Sequence, residues 1–205
     1  MLGLFSLDSK LYRLGVRICD ILLIGFIWTI FSLPLITIGA TTTALYYVCT
    51  KKHSGDDIYI IKNFLKSFRE NFAKATIIFL IIITAIMLIW INLHILNQMD
   101  WGYLNRPISA ILWVVLFLVL LVSTNVFCIL SRFEVNISSA IRAGLFIGFR
   151  NFFTTITNWM TLLAIILASF FVPMILLFMG GMYVYFTSYA FNRLFKKHSN
   201  EFLKP

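Results

Sequence analysis

Residues 75–96 form a run of 22 positions without an aspartate, glutamate, lysine or arginine. A helix rising about 1.5 Å per residue crosses the ~30 Å hydrocarbon core of a bilayer in about 20 residues, so this run is long enough to span one. Residues 108–130 and 153–172 repeat the pattern, and residues 18–33 repeat it with Asp20 as the one charged residue. Hydrophobic residues make up 60% of the 205 and charged residues 12%, too little polar surface to coat a soluble domain. The chain reads as an integral membrane protein. Its formal net charge of +9 sits in short stretches between apolar runs, where it sets membrane orientation, and nucleic acid is not an expected partner.

Two further stretches, 35–49 and 174–192, each follow a proline, Pro34 or Pro173, directly after a span, and each reads as the return limb of a helical hairpin. Charge decides the count. Of 17 lysines and arginines, all but Arg106 fall in residues 10–17, 51–74, 132–150 and 193–204. Only an even number of crossings with both hairpins returning puts those stretches on one face, which the positive-inside rule makes cytoplasmic. The expected architecture is an all-α, polytopic transmembrane bundle forming one domain over residues 1–205, with six crossings at 18–33, 35–49, 75–96, 108–130, 153–172 and 174–192. Both termini are expected inside. Trp90, Trp101 and Trp113 flank the single outer loop and Trp28 lies towards the outer end of the first span, as an interfacial belt requires. Residues 1–17 alternate polar and apolar side chains with no small-residue cleavage site, so the first span is expected in the mature protein.

The second span is short and carries proline, glycine and three consecutive threonines. Its 15 residues give about 22 Å of helix, less than the hydrocarbon thickness, so it needs shielding by protein. Pro34 supplies a turn or a helix start at which its missing N–H costs nothing. Gly39 and Thr43, like Ala40 and Ala44, stand four apart and offer a flat face for close packing. Thr41, Thr42 and Thr43 can bond to backbone carbonyls one turn back or turn their hydroxyls to a polar solute.

Three segments preceding alternate spans share one pattern. Leu4, Leu7, Leu11, Leu14 and Ile18, and again Ile58, Ile61, Leu65, Phe68 and Phe72, are spaced three and four apart, each with lysines and arginines off the apolar stripe. Such helices suit the membrane interface, with Lys62, Lys66 and Arg69 among anionic head groups. Ile141, Leu145, Phe149 and Phe152 keep the spacing in a third segment with Arg150, and "KSFRENF" aligns with "IGFRNFF" so that Phe68 and Arg69 match Phe149 and Arg150. The chain therefore reads as three parallel units, each a cytoplasmic amphipathic interfacial helix (4–17, 57–73, 138–152) followed by a hairpin. Asp56 and Asp57 are placed to cap the second of these helices.

Chemistry-bearing motifs are sparse. His53, His94 and His198 are far apart and without carboxylate or thiolate company, so neither a metal site nor a cofactor is expected. Cys19, Cys49 and Cys128 are too dispersed for a disulfide framework. No metalloprotease, serine-hydrolase, Walker or dinucleotide motif occurs, and no catalytic residue is assigned. Inside the spans, Asp20 is expected to pair with Arg17 one turn earlier. Ser123, Thr124 and Asn125 interrupt the fourth span, where an amide cannot face lipid cheaply; they serve interhelical packing or, with Thr41, Thr42 and Thr43, a polar cavity. Gly180 and Gly181 allow close backbone approach or a kink.

"SLPLITIGATTTALYYV", "NFLKSFRENFAKAT" and "FSLDSKLYRLGVRICD" together resemble the YesL family of small bacterial membrane proteins, most specifically at Pro34, Thr37 and Gly39. The resemblance implies a bacterial, largely Gram-positive plasma-membrane protein that keeps company with carbohydrate-uptake ABC-transporter permease or ATPase subunits. An asparagine common in the family near "LIGFIW" is absent here. The expected function is that of a non-enzymatic accessory membrane protein in contact with anionic lipid. A stand-alone small-solute transporter is the first rival, and an enzyme acting on lipid-linked substrates, joining Asp20, Asp56 or Asp57 and His53, is the second.

Overall fold

The computed structural model describes residues 10–55, 58–98, 102–172 and 174–202. Among these residues there are helices and no strand: α1 (Lys10–Ser32), α2 (Ile38–Ser54), α3 (Ile60–Gln98), α4 (Asn105–Arg132), α5 (Ile137–Arg150), α6 (Phe152–Phe171) and α7 (Met174–Phe202), with short 3₁₀ turns at Leu35–Thr37 and Gly102–Leu104. Three stretches are long and apolar enough to cross a membrane: Ile60–Leu96, Asn105–Arg132 and Phe152–Phe171. The apolar part of α1, Ile18–Ser32, is shorter.

The α3 helix departs from the expected division into an interfacial helix over 57–73 and a span over 75–96. It is one uninterrupted helix of 39 residues, about 58 Å long. The reason is local: Ile60–Gln98 contains neither proline nor glycine, and Lys74 and Ala75 at the expected boundary are good helix formers. On the N-terminal side the described part of the expected 4–17 helix is likewise continuous with α1. Only the third segment stays separate, because Asn151 (φ −116°, ψ 48°) breaks the helix between α5 and α6. Asn151 is the counterpart of Glu70 in the aligned repeat, so one repeat is straight where the other bends. The buried side of α5 also differs from the expected apolar stripe. Ala140, Gly144, Ile147 and Gly148 face inward, whereas Phe149 is 56% exposed. Small residues win this contact because they admit the flank of α4: a Cβ on Gly148 would overlap the side chain of Leu121.

Two apolar clusters share α3 as a spine. In the first, Ile24 and Ile27 of α1, Ala44, Leu45, Tyr46 and Val48 of α2, Phe64 of α3, and Val184 and Phe191 of α7 pack together. In the second, Ile78 and Ile82 from further along α3 meet Val122, Val126 and Leu130 of α4 and Ala140 of α5. Gly39 fixes the stagger between them. It touches Ala75 and Phe79, where the long apolar run of α3 begins, so α2 runs back along the basic first half of α3.

Candidate functional site

The turn between α1 and α2 explains the threonines and the proline. A helix leaves its last carbonyls without intrahelical donors, and inside an apolar bundle those carbonyls must still be bonded. Here Phe31 O accepts from Thr37 Oγ1 at 2.5 Å and from Thr41 Oγ1 at 3.1 Å. Thr37 also ties the turn to Pro34 O, through its backbone N–H at 2.8 Å and its hydroxyl at 2.6 Å. Thr43 donates to Gly39 O at 2.9 Å, and Trp28 Nε1 reaches Thr42 Oγ1 at 3.4 Å. Thr41 and Thr43 are buried, so their hydroxyls serve backbone carbonyls and not an open path. Gly39 is buried against α3, where a Cβ would come within 2.6 Å of Ala75 O, and Pro34 is exposed at the turn. The helix itself is covered: from Gly39 to Thr50 only Thr42 and Tyr47 are not buried.

The second group of interrupting residues lies elsewhere. Ser123 donates to Leu120 O at 2.8 Å and Thr124 to Leu121 O at 3.0 Å. Asn125, 2% exposed, donates to Leu121 O at 2.7 Å beside Gly148 of α5. Asn125 belongs to the α4–α5 contact, while Thr41, Thr42 and Thr43 belong to the turn of α1 into α2. Gly180 and Gly181 form a third location. Trp28 lies on Gly180, and Gly181 lies on the backbone of Gly25, so the pair seats α7 on α1.

The basic end of α2 holds a polar cluster. Gly55, at φ 92°, closes the helix in the left-handed conformation that glycine adopts without penalty, and Lys51, Lys52 and His53 sit in the last turn, where the helix dipole favours positive charge. Lys52 pairs with Asp20 of α1. The expected Arg17 partner lies, as a side chain, outside the described residues. His53 turns instead to α7, with Nε2 3.2 Å from Tyr185 O and its ring against Tyr185 and Tyr189. Ser54 Oγ and Arg132 Nη2 both donate to Asn192 Oδ1, at 3.4 and 3.0 Å, joining α2, α4 and α7. Deeper in, Tyr46 OH and Thr187 Oγ1 are 2.9 Å apart. The expected caps Asp56 and Asp57, and Pro173, lie outside the described residues. Among those residues no group of three or more His, Cys, Asp or Glu is arranged to hold a metal.

One open feature on this side is strongly polar. A cleft of about 520 Å³ lies between α2, α3 and the end of α4, lined by Tyr47, by Lys66, Ser67, Glu70, Asn71 and Lys74, and by the stretch from Leu130 to Glu134. Of the basic residues expected at the head groups, Lys66 lines this cleft. Lys62, Arg69 and Arg150 are exposed outside it, with Arg150 over the ring of Phe146 at 6.0 Å. Sequence reasoning missed Ser67, Glu70, Asn71, Lys74, Arg132 and Glu134 as one group. Those on α3 repeat at four-residue spacing and were legible as a helix face; their meeting with α4 was not.

Residues 21–93 match the family model described as "Protein of unknown function, DUF624". The chain is also similar to a Bacillus subtilis (strain 168) protein described as "Uncharacterized protein YesL", at 26% identity over 153 residues, covering 73% of this chain and 71% of that one. No solved structure matches.

Proposed function

We propose that this YesL-family chain is a non-enzymatic accessory protein of the bacterial plasma membrane, acting on another membrane complex and not moving a solute by itself. The observation that carries the reading is the use made of the intramembrane hydroxyls and amides. Thr41, Thr43, Ser123, Thr124 and Asn125 bond to backbone carbonyls, with Thr41 and Thr43 at the turn of α1 into α2 and Asn125 against Gly148 of α5. A solute path needs such groups turned towards a common cavity. Of the groups the enzyme reading would join, Asp20 pairs with Lys52 and His53 bonds to Tyr185 O of α7.

In this reading the chain makes six crossings with both termini in the cytoplasm, supported by the clustering of all its lysines and arginines but Arg106 into four stretches. The partner class, transporter permease or ATPase subunits, rests on the family resemblance. The experiment is recovery of the full chain from its native membrane in mild detergent, with quantitative mass spectrometry against an unrelated six-span control. Specific enrichment of permease or ATPase subunits is the expected result. Recovery of the chain alone, together with solute uptake into proteoliposomes, would replace this reading with that of a transporter.

A further inference from the structure

The polar cleft between α2, α3 and α4 is walled, placed and charged for one class of ligand. Lys66, Glu70 and Lys74 stand at four-residue spacing on α3 and so share one helix face. Ser67 and Asn71 lie one position on from Lys66 and Glu70. Ser67 is 1% exposed, and Asn71 Nδ2 bonds both its carbonyl, at 3.1 Å, and its hydroxyl oxygen, at 3.3 Å. The buried floor is thereby fixed. Across it, Arg132 is held by Asn192 at 3.0 Å, and the chain then turns through Phe133 to Glu134. A volume of about 520 Å³ is that of a small-molecule site, larger than a single ion requires.

Its depth follows from where charge stops. Lys74 is the last charged residue before the long apolar run of α3, and Arg132 is the first after that of α4. Two adjacent helices thus mark the same membrane boundary at the cleft, and Leu130, Phe133 and the ring of Tyr47 supply an apolar margin. Its charge narrows the ligand further. Lys66, Lys74 and Arg132 against Glu70 and Glu134 leave one net positive charge on the lining. A phosphate dianion or a nucleotide would meet the two carboxylates unfavourably. A phosphodiester carries a single negative charge, and a head group bearing hydroxyls would donate to Glu70 and Glu134 while the lysines and Arg132 take the phosphate.

We propose that this cleft binds the head group of a monoanionic phospholipid of the phosphatidylglycerol type, one molecule per chain. The site is distinct from the general attraction of a basic surface to anionic lipid, because it includes carboxylates that such attraction would disfavour.

The test uses the full chain in nanodiscs of phosphatidylcholine containing phosphatidylglycerol, phosphatidylethanolamine or phosphatidic acid, with native mass spectrometry counting lipids retained on release. One phosphatidylglycerol is expected to survive, in preference to the other two. Lys66→Ala with Lys74→Ala should weaken retention at least about tenfold, the order one charge-assisted contact supplies. Lys62→Ala with Arg69→Ala removes the same charge from the same helix outside the cleft and should leave retention unchanged. Glu70→Gln with Glu134→Gln should shift the preference towards phosphatidic acid. Equal loss in both lysine and arginine pairs would overturn the proposal in favour of non-specific surface attraction. Displacement by millimolar glycerol 3-phosphate or inorganic phosphate would overturn it in favour of a soluble ligand. The exposed substitutions are checked for folding by an unchanged elution volume and thermal midpoint.

Discussion

Gly181 of α7 lies directly on Gly25 of α1, so close that a Cβ on Gly181 would stand 2.6 Å from Gly25 N. Backbone meets backbone there, with no flexible side chain able to give way. Gly181→Ala should therefore separate α1 from α7 and destabilise the fold by about 1–3 kcal/mol, the usual cost of overpacking. Gly15→Ala is the control: a Cβ there meets nothing within 4 Å, and alanine favours the helix by up to about 1 kcal/mol. Thermal unfolding in detergent, followed by the loss of the monodisperse peak, should lower the midpoint for the first and leave or raise it for the second.

The Lys52–Asp20 pair joins α2 to α1 with side chains only 30% and 13% exposed. Removing either partner leaves the other partly buried without its charge, so Asp20→Asn and Lys52→Met should each cost about 1–3 kcal/mol. The double variant should lose less than the two singles combined. Strict additivity in that cycle would show that the pair contributes no coupling.

Thr187 donates to Tyr183 O at 2.8 Å, so its oxygen accepts from Tyr46 OH at 2.9 Å. Tyr46→Phe keeps the ring and its edge contact with Phe191 but removes the donor. The expected cost is about 0.5–1.5 kcal/mol, well below that of Tyr46→Ala, which also opens a cavity. Denaturation midpoints of the two variants check the order.

Topology is open to cysteine labelling in a background without Cys19, Cys49 and Cys128. Asn97→Cys and Gly102→Cys are expected to react with an impermeant reagent from outside, and Ser54→Cys and Ser199→Cys only after permeabilisation. Leu33→Cys reports on the first hairpin, since Leu33 is 75% exposed at its turn. External labelling fits six crossings; protection would make α1 and α2 a re-entrant pair, which the stagger of Gly39 on Ala75 would then explain.

The Thr37, Thr41 and Thr43 hydroxyls should be replaceable only at a cost to the turn. Thr37→Val removes the one hydroxyl proton that lies between Phe31 O and Pro34 O and is expected to destabilise by about 1–3 kcal/mol. Thr42→Val loses a single long contact from Trp28 and should cost less, within about 1 kcal/mol. Thermal unfolding of the two variants side by side tests the ranking.

Sequence alone determined that the chain is helical, that it belongs in a bilayer, and where its apolar runs fall, because hydrocarbon admits few side chains and requires every backbone group to be bonded within its segment. It also marked the small residues at which helices approach closely. The tertiary structure decided which surfaces meet. Periodicity suggested a break near Lys74 that a stretch without proline or glycine does not make, and an apolar stripe on α5 whose buried side is mostly glycine and alanine instead. Lys52 illustrates the same limit: no local pattern ties it to Asp20, and the pair forms only where α2 packs on α1. The polar cleft follows the same logic, since Lys66 and Lys74 are visible on one face of α3 while Arg132 and Glu134 reach them only through the packing of α4. Local patterns fix what a segment can bury; long-range packing fixes what it is buried against.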